Sequence, residues 1–143
     1  DFKKYHPSGS LGEKLKTAED LMLTKDKIPF IDENKLMTKA LKIMTEKKLG
    51  TLIVRNKKKY TSGIITDGQV RRFNSKNIDL KSLRVKDVMT KNPIKIEKNT
   101  LATKALAIMN EKKITSLCVY EKKNKFKTIG ILHIHNILNK KIY

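Results

Sequence analysis

The segment Ala40-Leu41-Lys42-Ile43-Met44-Thr45-Glu46-Lys47-Lys48-Leu49 is repeated further along the chain as Ala105-Leu106-Ala107-Ile108-Met109-Asn110-Glu111-Lys112-Lys113-Ile114. Shorter flanking pieces repeat with nearly the same spacing: Asp20-Leu21-Met22 matches Asp87-Val88-Met89, and Gly63-Ile64-Ile65 matches Gly130-Ile131-Leu132. A module this small usually cannot bury its apolar face alone and packs on its neighbour. The repeat therefore predicts two similar modules, with a functional site between them.

The composition is typical of a soluble globular protein. The chain has 143 residues, of which 38% are apolar, and no apolar run approaches the ~18 residues of a membrane span. The polar amino end opens on Asp1 without a methionine, which predicts a fragment of a longer protein without a signal peptide. The lone cysteine, Cys118, lies in an apolar run and is predicted to be a buried thiol. We expect a cytoplasmic location and no membrane partner.

The formal net charge of +19 raises the question of nucleic-acid binding. Almost all of the charge comes from lysine, which is poorer than arginine at bidentate recognition of phosphates and bases. The lysine clusters fall at equivalent helix ends and hairpin tips of the two copies: Lys47-Lys48, Lys57–Lys59, Lys112-Lys113 and Lys122-Lys123. This pattern favours solvated surface, and nucleic-acid binding stays a less favoured alternative.

The chain divides into a tail and two modules. Residues 1–19 have no repeat partner and are predicted to be a linker or the tail of a preceding domain; residues 20–78 form module one and residues 79–143 module two. The spacing of Leu36, Ala40, Ile43 and Met44 predicts an amphipathic helix, with Gly50 as a left-handed stop. Its twin in module two is built on Leu101, Ala105, Ile108 and Met109.

Two β-rich runs separated by a lysine-rich turn follow each of these helices, and each pair predicts a hairpin: 51–55 with 62–65, and 116–120 with 128–132. A second helix is then predicted from Asp67 in module one and from about Ile134 in module two. The module order is therefore short strand, helix, strand, strand, helix, which gives an α/β chain.

This order, with Asp-hydrophobic-Met at the entry and Gly-hydrophobic-hydrophobic before the last helix, resembles a tandem pair of cystathionine beta-synthase (CBS) domains. The resemblance covers residues from about 20 to 143. It implies two β-α-β-β-α modules related by pseudo-twofold symmetry, which dimerise through their helices. In such pairs a nucleotide binds where Gly-hydrophobic-x-Thr/Ser-x-x-Asp precedes a helix.

Finer matches point to one subfamily. Residues 6–12, 66–72 and 130–136 look like three signature stretches of D-arabinose 5-phosphate isomerases. The resemblance implies an isomerase (SIS) domain on the same polypeptide, a tetrameric full-length enzyme, and conversion of ribulose 5-phosphate to arabinose 5-phosphate for Kdo, used in lipopolysaccharide or capsule. His6 would be catalytic only in that full-length enzyme. The fragment itself is expected to have no activity.

The candidate ligand-binding residues follow from the same pattern. In module one they are Thr66, Asp67 and Gln69, with Gln69 at the position of the family's aspartate, and in module two they are His133, His135 and Asn136. A helix start offers free N–H groups and a positive dipole to a phosphate, and Arg71 and Arg72 are placed to reach the same anion. Equally, Thr66 or Asp67 fits a plain helix cap. The His-x-His pair lacks a cysteine or carboxylate partner, so no metal site is predicted.

Further candidates lie where CBS pairs present backbone groups to a bound base. A proline there fixes an extended entry and exposes a carbonyl, and it fits a plain turn equally well. They are Thr24, Ile28, Pro29, Thr90, Pro93, Thr115 and Ser116. The expected regulatory ligand is CMP-Kdo or another nucleotide, and no cofactor is required. The alternative function is a ligand-free oligomerisation module of the same enzyme.

Overall fold

The computed structural model describes residues 15–139. Its helices and strands, in chain order, are α1 (Ala18–Leu21), β1 (Phe30–Asp32), α2 (Met37–Lys47), β2 (Thr51–Arg55), β3 (Thr61–Thr66), α3 (Asp67–Ser75), α4 (Val85–Val88), β4 (Thr90–Lys91), β5 (Lys95–Glu97), α5 (Ala102–Lys112), β6 (Ser116–Tyr120), β7 (Gly130–His133) and α6 (Ile134–Leu138). The α/β class and the repeated strand-helix-strand-strand-helix order are confirmed.

The chain forms two compact units, each with its own sheet and core. The continuous unit is Lys25–Pro93, and its sheet has the order β1-β2-β3-β4. The discontinuous unit joins residues before Lys25 to residues after Pro93, and its sheet has the order β5-β6-β7. In both sheets the first strand is parallel to the second, and the second and third strands form the predicted antiparallel hairpin.

The short entry segments explain why their motifs repeat. Asp20 and Asp87 each accept the backbone N–H three residues earlier, at 2.8 Å and 2.9 Å, and so close the amino ends of α1 and α4. Met22 and Met89 then cover glycines: a Cβ on Gly130 would lie 2.7 Å from Met22 Cγ, and one on Gly63 would lie 2.7 Å from Met89 Sδ. Glycine at these two positions leaves the space that the methionine fills.

Through these contacts, the entry segment of each repeat packs on a strand of the other repeat. The segment that opens the first repeat bridges β7 of the second, through Leu23 and Ile131. The segment that opens the second repeat pairs with β3 of the first, through Thr90 and Ile64. The repeat in the sequence and the compact unit in space are therefore different divisions of the chain.

The apolar faces of the long helices differ from the sequence prediction by one position. Leu36 and Leu101 are 44% and 42% exposed, because they stand in extended conformation just before α2 and α5. The buried faces instead begin at Met37 and Ala102, which are fully buried. The expected left-handed stop at Gly50 (φ 71°) lies two residues beyond the helix cap, because Lys48 (φ 57°) already adopts that conformation and donates its N–H to Met44 O.

Cys118 is 5% exposed in the core of the discontinuous unit, as predicted. Burial raises the pKa of its thiol to about 11, so the reactive thiolate is scarce at neutral pH. Across residues 15–139, no helix has the length and apolar character needed to span a bilayer.

Candidate functional site

The start of α3 in the continuous unit is closed by a reciprocal capping box. Thr66 Oγ1 accepts the N–H of Gln69 at 3.3 Å, and Gln69 Oε1 accepts the N–H of Thr66 at 2.8 Å. The pattern Thr-x-x-Gln favours this arrangement because each side chain satisfies a backbone donor that the first helical turn leaves unpaired. Thr66 therefore caps α3, which is one of the two roles predicted for it from the sequence.

Gln69 also ties α3 to the exchanged segment. It is 7% exposed, and its Nε2 donates to the carbonyl of Val88 at 3.1 Å and to Thr90 Oγ1. The amide oxygen and both amide hydrogens are therefore engaged within the unit. Gln69 therefore links α3, α4 and β4, and its amide is not available to a ribose.

Two guanidinium groups fold back over the start of α3. Arg72 Nη1 lies 3.4 Å and Arg71 Nη2 3.9 Å from the point that a Cβ on Gly68 would occupy, and Thr66 Oγ1 lies 3.8 Å from the same point. Both arginines are exposed. The positive end of the helix dipole and two planar donor groups therefore meet at one place, an arrangement that suits an anionic oxygen cluster such as phosphate.

A small cavity lies beside this helix start. It has a volume of about 260 Å³ and is lined by Leu41, Met44, Thr45, Lys48, Gly50, Asp67 and Val70. The backbone N–H of Asp67 donates to Gly50 O at 3.0 Å, and its carboxylate occupies the space beside the glycine: a Cβ there would lie 2.7 Å from Oδ2. Asp67 is a site residue predicted from the sequence, whereas Lys48 and the apolar lining of this cavity were not predicted.

The start of α6 in the discontinuous unit repeats the cap with different chemistry. Asn136 Oδ1 accepts the N–H of His133 at 2.9 Å, and His133 Nδ1 accepts the N–H of His135 at 3.1 Å. The two imidazole rings stack, with centroids 4.8 Å apart and planes inclined by 24°. His133 is half-buried and His135 exposed.

The electrostatics of this helix start favour a neutral His133. Burial, and then the neighbouring His135, lower its pKa. A neutral ring is also what the cap requires, because a protonated Nδ1 could not accept the N–H of His135. Among residues 15–139 no group of three or more His, Cys, Asp or Glu side chains is placed to hold a metal ion.

Comparison with known proteins identifies the family. The family model described as "CBS domain" matches residues 18–76 and 85–142. The chain belongs to the CBS domain family.

Relatives of this CBS pair include an isomerase. An uncharacterised Rickettsia prowazekii protein, RP505, is 38% identical over 97% of this chain, and the arabinose 5-phosphate isomerase KdsD of Escherichia coli is 35% identical over 96%. In both cases the chain spans 42% of the relative's length. A crystal structure of CBSX2 in complex with AMP has the same fold, with a TM-score of 0.77 and 23% identity over 88% of this chain and 96% of that one.

The remaining predicted site residues occupy varied positions in the CBS pair. Ile28 and Pro29 are buried, and the carbonyl of Pro29 accepts the N–H of Ile53 at 2.8 Å. That carbonyl belongs to the parallel β1–β2 pairing, which uses one of its two lone pairs, and its contact with a base stays a prediction. Pro93 is half-buried at the end of the continuous unit, and Thr24 is half-buried in the discontinuous unit.

Thr115 and Ser116 lie beside the histidines. Thr115 is exposed, and its carbonyl accepts the N–H of Ile134 at 2.7 Å, while Ser116 stands opposite His133 in the β6–β7 register. The discontinuous unit therefore gathers Thr115, Ser116, His133 and His135 at one end of its sheet. His6 lies outside the described residues.

Proposed function

We propose that this CBS pair is the regulatory region of an arabinose 5-phosphate isomerase of the Kdo pathway, and that it senses a nucleotide or nucleotide-sugar. The observation that carries the proposal is the 35% identity to KdsD, which extends over 96% of the chain. Because the match covers 42% of KdsD, the isomerase chemistry itself, with a SIS domain and His6, is assigned to the full-length protein.

The class of ligand follows from the charges at the helix starts. Arg71 and Arg72 converge on Gly68 at the amino end of α3, and two imidazoles stand at the amino end of α6. The two guanidinium groups suit phosphate oxygens, and the neutral His133, whose Nδ1 accepts a backbone N–H, carries a ring N–H on Nε2 that suits a phosphate or carboxylate oxygen. CBSX2, which shares the fold, was crystallised with AMP, which supports a nucleotide; CMP-Kdo is our preferred candidate, because it combines phosphate, carboxylate and nucleoside and is the end product of the pathway.

Recognition of the ribose differs in this proposal from the family pattern. Gln69 takes the place of the aspartate, but its amide already bonds Val88 and Thr90. We therefore assign ligand contacts in the continuous unit to Arg71, Arg72 and the exposed Asp67, and in the discontinuous unit to His133, His135 and Thr115. Regulation follows if the ligand binds one arrangement of the protein more tightly than another, since that difference in affinity biases the attached enzyme.

A thermal-shift measurement with AMP, ATP, CMP, CTP and CMP-Kdo tests the proposal, because a ligand that binds the folded state raises the melting temperature. The double variant Arg71→Gln/Arg72→Gln should remove the part of the shift that comes from the continuous unit. The matched control, Lys57→Gln/Lys58→Gln, removes the same charge from the same unit and should retain it. Loss of the shift in both variants would mean that the effect is nonspecific charge attraction.

A rival function is a ligand-free oligomerisation module, and the commitment of Gln69 to internal bonds favours it. In that case none of the five compounds raises the melting temperature. Sedimentation equilibrium would then show a stable homodimer of the chain and a tetramer of the full-length protein. Assay of the full-length protein with ribulose 5-phosphate tests the isomerase assignment separately.

A further inference from the structure

The hairpin tip between β6 and β7 presents an aromatic ring within a cluster of positive charges. Phe126 is 63% exposed, more than any other exposed large apolar residue in residues 15–139. Four lysines surround it in sequence, and all four are exposed: Lys122, Lys123, Lys125 and Lys127. We call residues 122–127 the basic tip.

The basic tip has a defined conformation. Asn124 organises the turn: its N–H donates to Glu121 O at 3.0 Å, and its Oδ1 accepts the N–H of Phe126 at 3.0 Å. Lys95, on β5, stabilises the turn by donating to Lys125 O at 2.9 Å. Its ammonium group lies 5.9 Å from the centre of the Phe126 ring. The backbone that carries the exposed ring is therefore positioned by hydrogen bonds.

The positive charge of the basic tip is not neutralised by the acidic residue next to it. The carboxylate of Glu121 is paired with Lys98 at 3.3 Å, at the base of the hairpin. A fifth lysine, Lys95, adds to the charge of the tip. The result is one apolar side chain projecting from a surface that attracts anions.

We propose that the basic tip docks on a bilayer surface rich in anionic phospholipid, with Phe126 entering the interface and the lysines contacting headgroups. A lysine is a compact point charge suited to a diffuse anionic surface. Transfer of an exposed phenylalanine ring from water into the membrane interface is favourable in free energy. Single-stranded nucleic acid is normally held on several aromatic platforms, whereas the basic tip carries a single ring. The proposal is independent of the regulatory function, and it revises the expectation of no membrane partner.

The other hairpin of the chain supplies a matched control. Its turn carries Lys57, Lys58 and Lys59, all exposed, followed by the half-buried Tyr60. The two hairpins thus share a lysine cluster but differ in the exposed ring. Binding that depends on charge alone should respond equally to both clusters, and binding at the basic tip should not.

The experiment is co-sedimentation of the whole chain with vesicles of phosphatidylcholine and phosphatidylglycerol in equal parts, against pure phosphatidylcholine. We expect binding to the anionic vesicles alone. The triple variant Lys122→Gln/Lys123→Gln/Lys125→Gln should weaken binding by about a hundredfold, and Phe126→Ala by about fivefold. The control Lys57→Gln/Lys58→Gln/Lys59→Gln should bind within about twofold of the parent at equal ionic strength.

Several results would overturn the proposal. Equal weakening by the two triple variants would assign binding to net charge, and unchanged binding of Phe126→Ala would remove the ring from the contact. Absence of vesicle binding would refute docking on a membrane. Binding of oligothymidine but not of vesicles, with that binding lost in Phe126→Ala, would instead assign the basic tip to nucleic acid. Melting temperatures of all variants, measured in parallel, exclude unfolding as the cause.

Discussion

Replacement of Gln69 by glutamate separates its structural role from a ligand-binding role. The side chain keeps its shape, and Oε1 still accepts the N–H of Thr66, but the donor to Val88 O at 3.1 Å becomes an oxygen. A buried carbonyl without its donor costs about 1–3 kcal/mol, and desolvation of the new carboxylate adds to this. We expect the free energy of unfolding to fall by about 2–4 kcal/mol, which lowers the melting temperature by on the order of 10 °C.

The loss should depend on pH in a defined direction. A carboxyl that faces a carbonyl oxygen in a buried site has a folded-state pKa above the unfolded value of about 4.3. Below that value the protonated group again donates to Val88 O, so the deficit is small; as the pH rises through the folded pKa the deficit grows to its full size. Thermal melts of Gln69→Glu at about pH 4 and pH 7 measure the difference against the parent chain.

The second repeat supplies the control. Asn136 occupies the equivalent position in α6, is half-buried, and uses only its oxygen, which accepts the N–H of His133. Asn136→Asp retains that acceptor and adds a negative charge in the first helical turn, so its stability should change by less than about 0.5 kcal/mol. If Gln69→Glu proves as stable as the parent at neutral pH, or if its deficit is independent of pH, the assigned amide donor is wrong.

Two further predictions concern the packing and the caps. Gly130→Ala should lower the unfolding free energy by about 1–3 kcal/mol through overlap with Met22, and combining it with Met22→Ala should cost less than the sum of the single changes; strict additivity in a double-mutant cycle would show that the two residues do not touch. Because the pKa of His133 is lowered in the folded state, the unfolded chain binds the proton more readily, and stability should fall as the pH drops below the unfolded pKa of about 6.5. His133→Asn keeps a capping acceptor and should reduce that fall in melts between about pH 7.5 and pH 5; an identical fall would place the titration elsewhere.

Much of the fold is predictable because it depends on residues that are close together in the sequence. The hairpins follow from β-rich runs around lysine-rich turns, and α2 and α5 follow from the spacing of Ala40 and Met44 and their twins. The errors are local too. A residue such as Leu36 satisfies the helical spacing but stands at the cap, where its side chain leaves the buried face. A lysine in left-handed conformation, such as Lys48, carries no signal in its identity, whereas Gly50 does.

The exchange of entry segments could not be predicted from the repeat. The sequence gives two methionines and two glycines at matching positions, and Met22 on Gly63 would satisfy the pattern as well as Met22 on Gly130. The choice depends on the path of the chain between distant residues, which periodicity does not contain. The same limit applies to Gln69: the capping pattern with Thr66 is visible in the sequence, but its bonds to Val88 and Thr90 are long-range.

The exchange also makes the two helix starts chemically unequal. In the continuous unit the residue after Met89 is Thr90, which pairs with Ile64 and offers a hydroxyl that accepts from Gln69. In the discontinuous unit the residue after Met22 is Leu23, which pairs with Ile131 in the same way but has no polar atom in its side chain. The cap of α6 is therefore not tied to the entry segment by this bond. The start of α3 is thus fixed by a buried amide, whereas the start of α6 holds an exposed imidazole beside a cap that can be protonated.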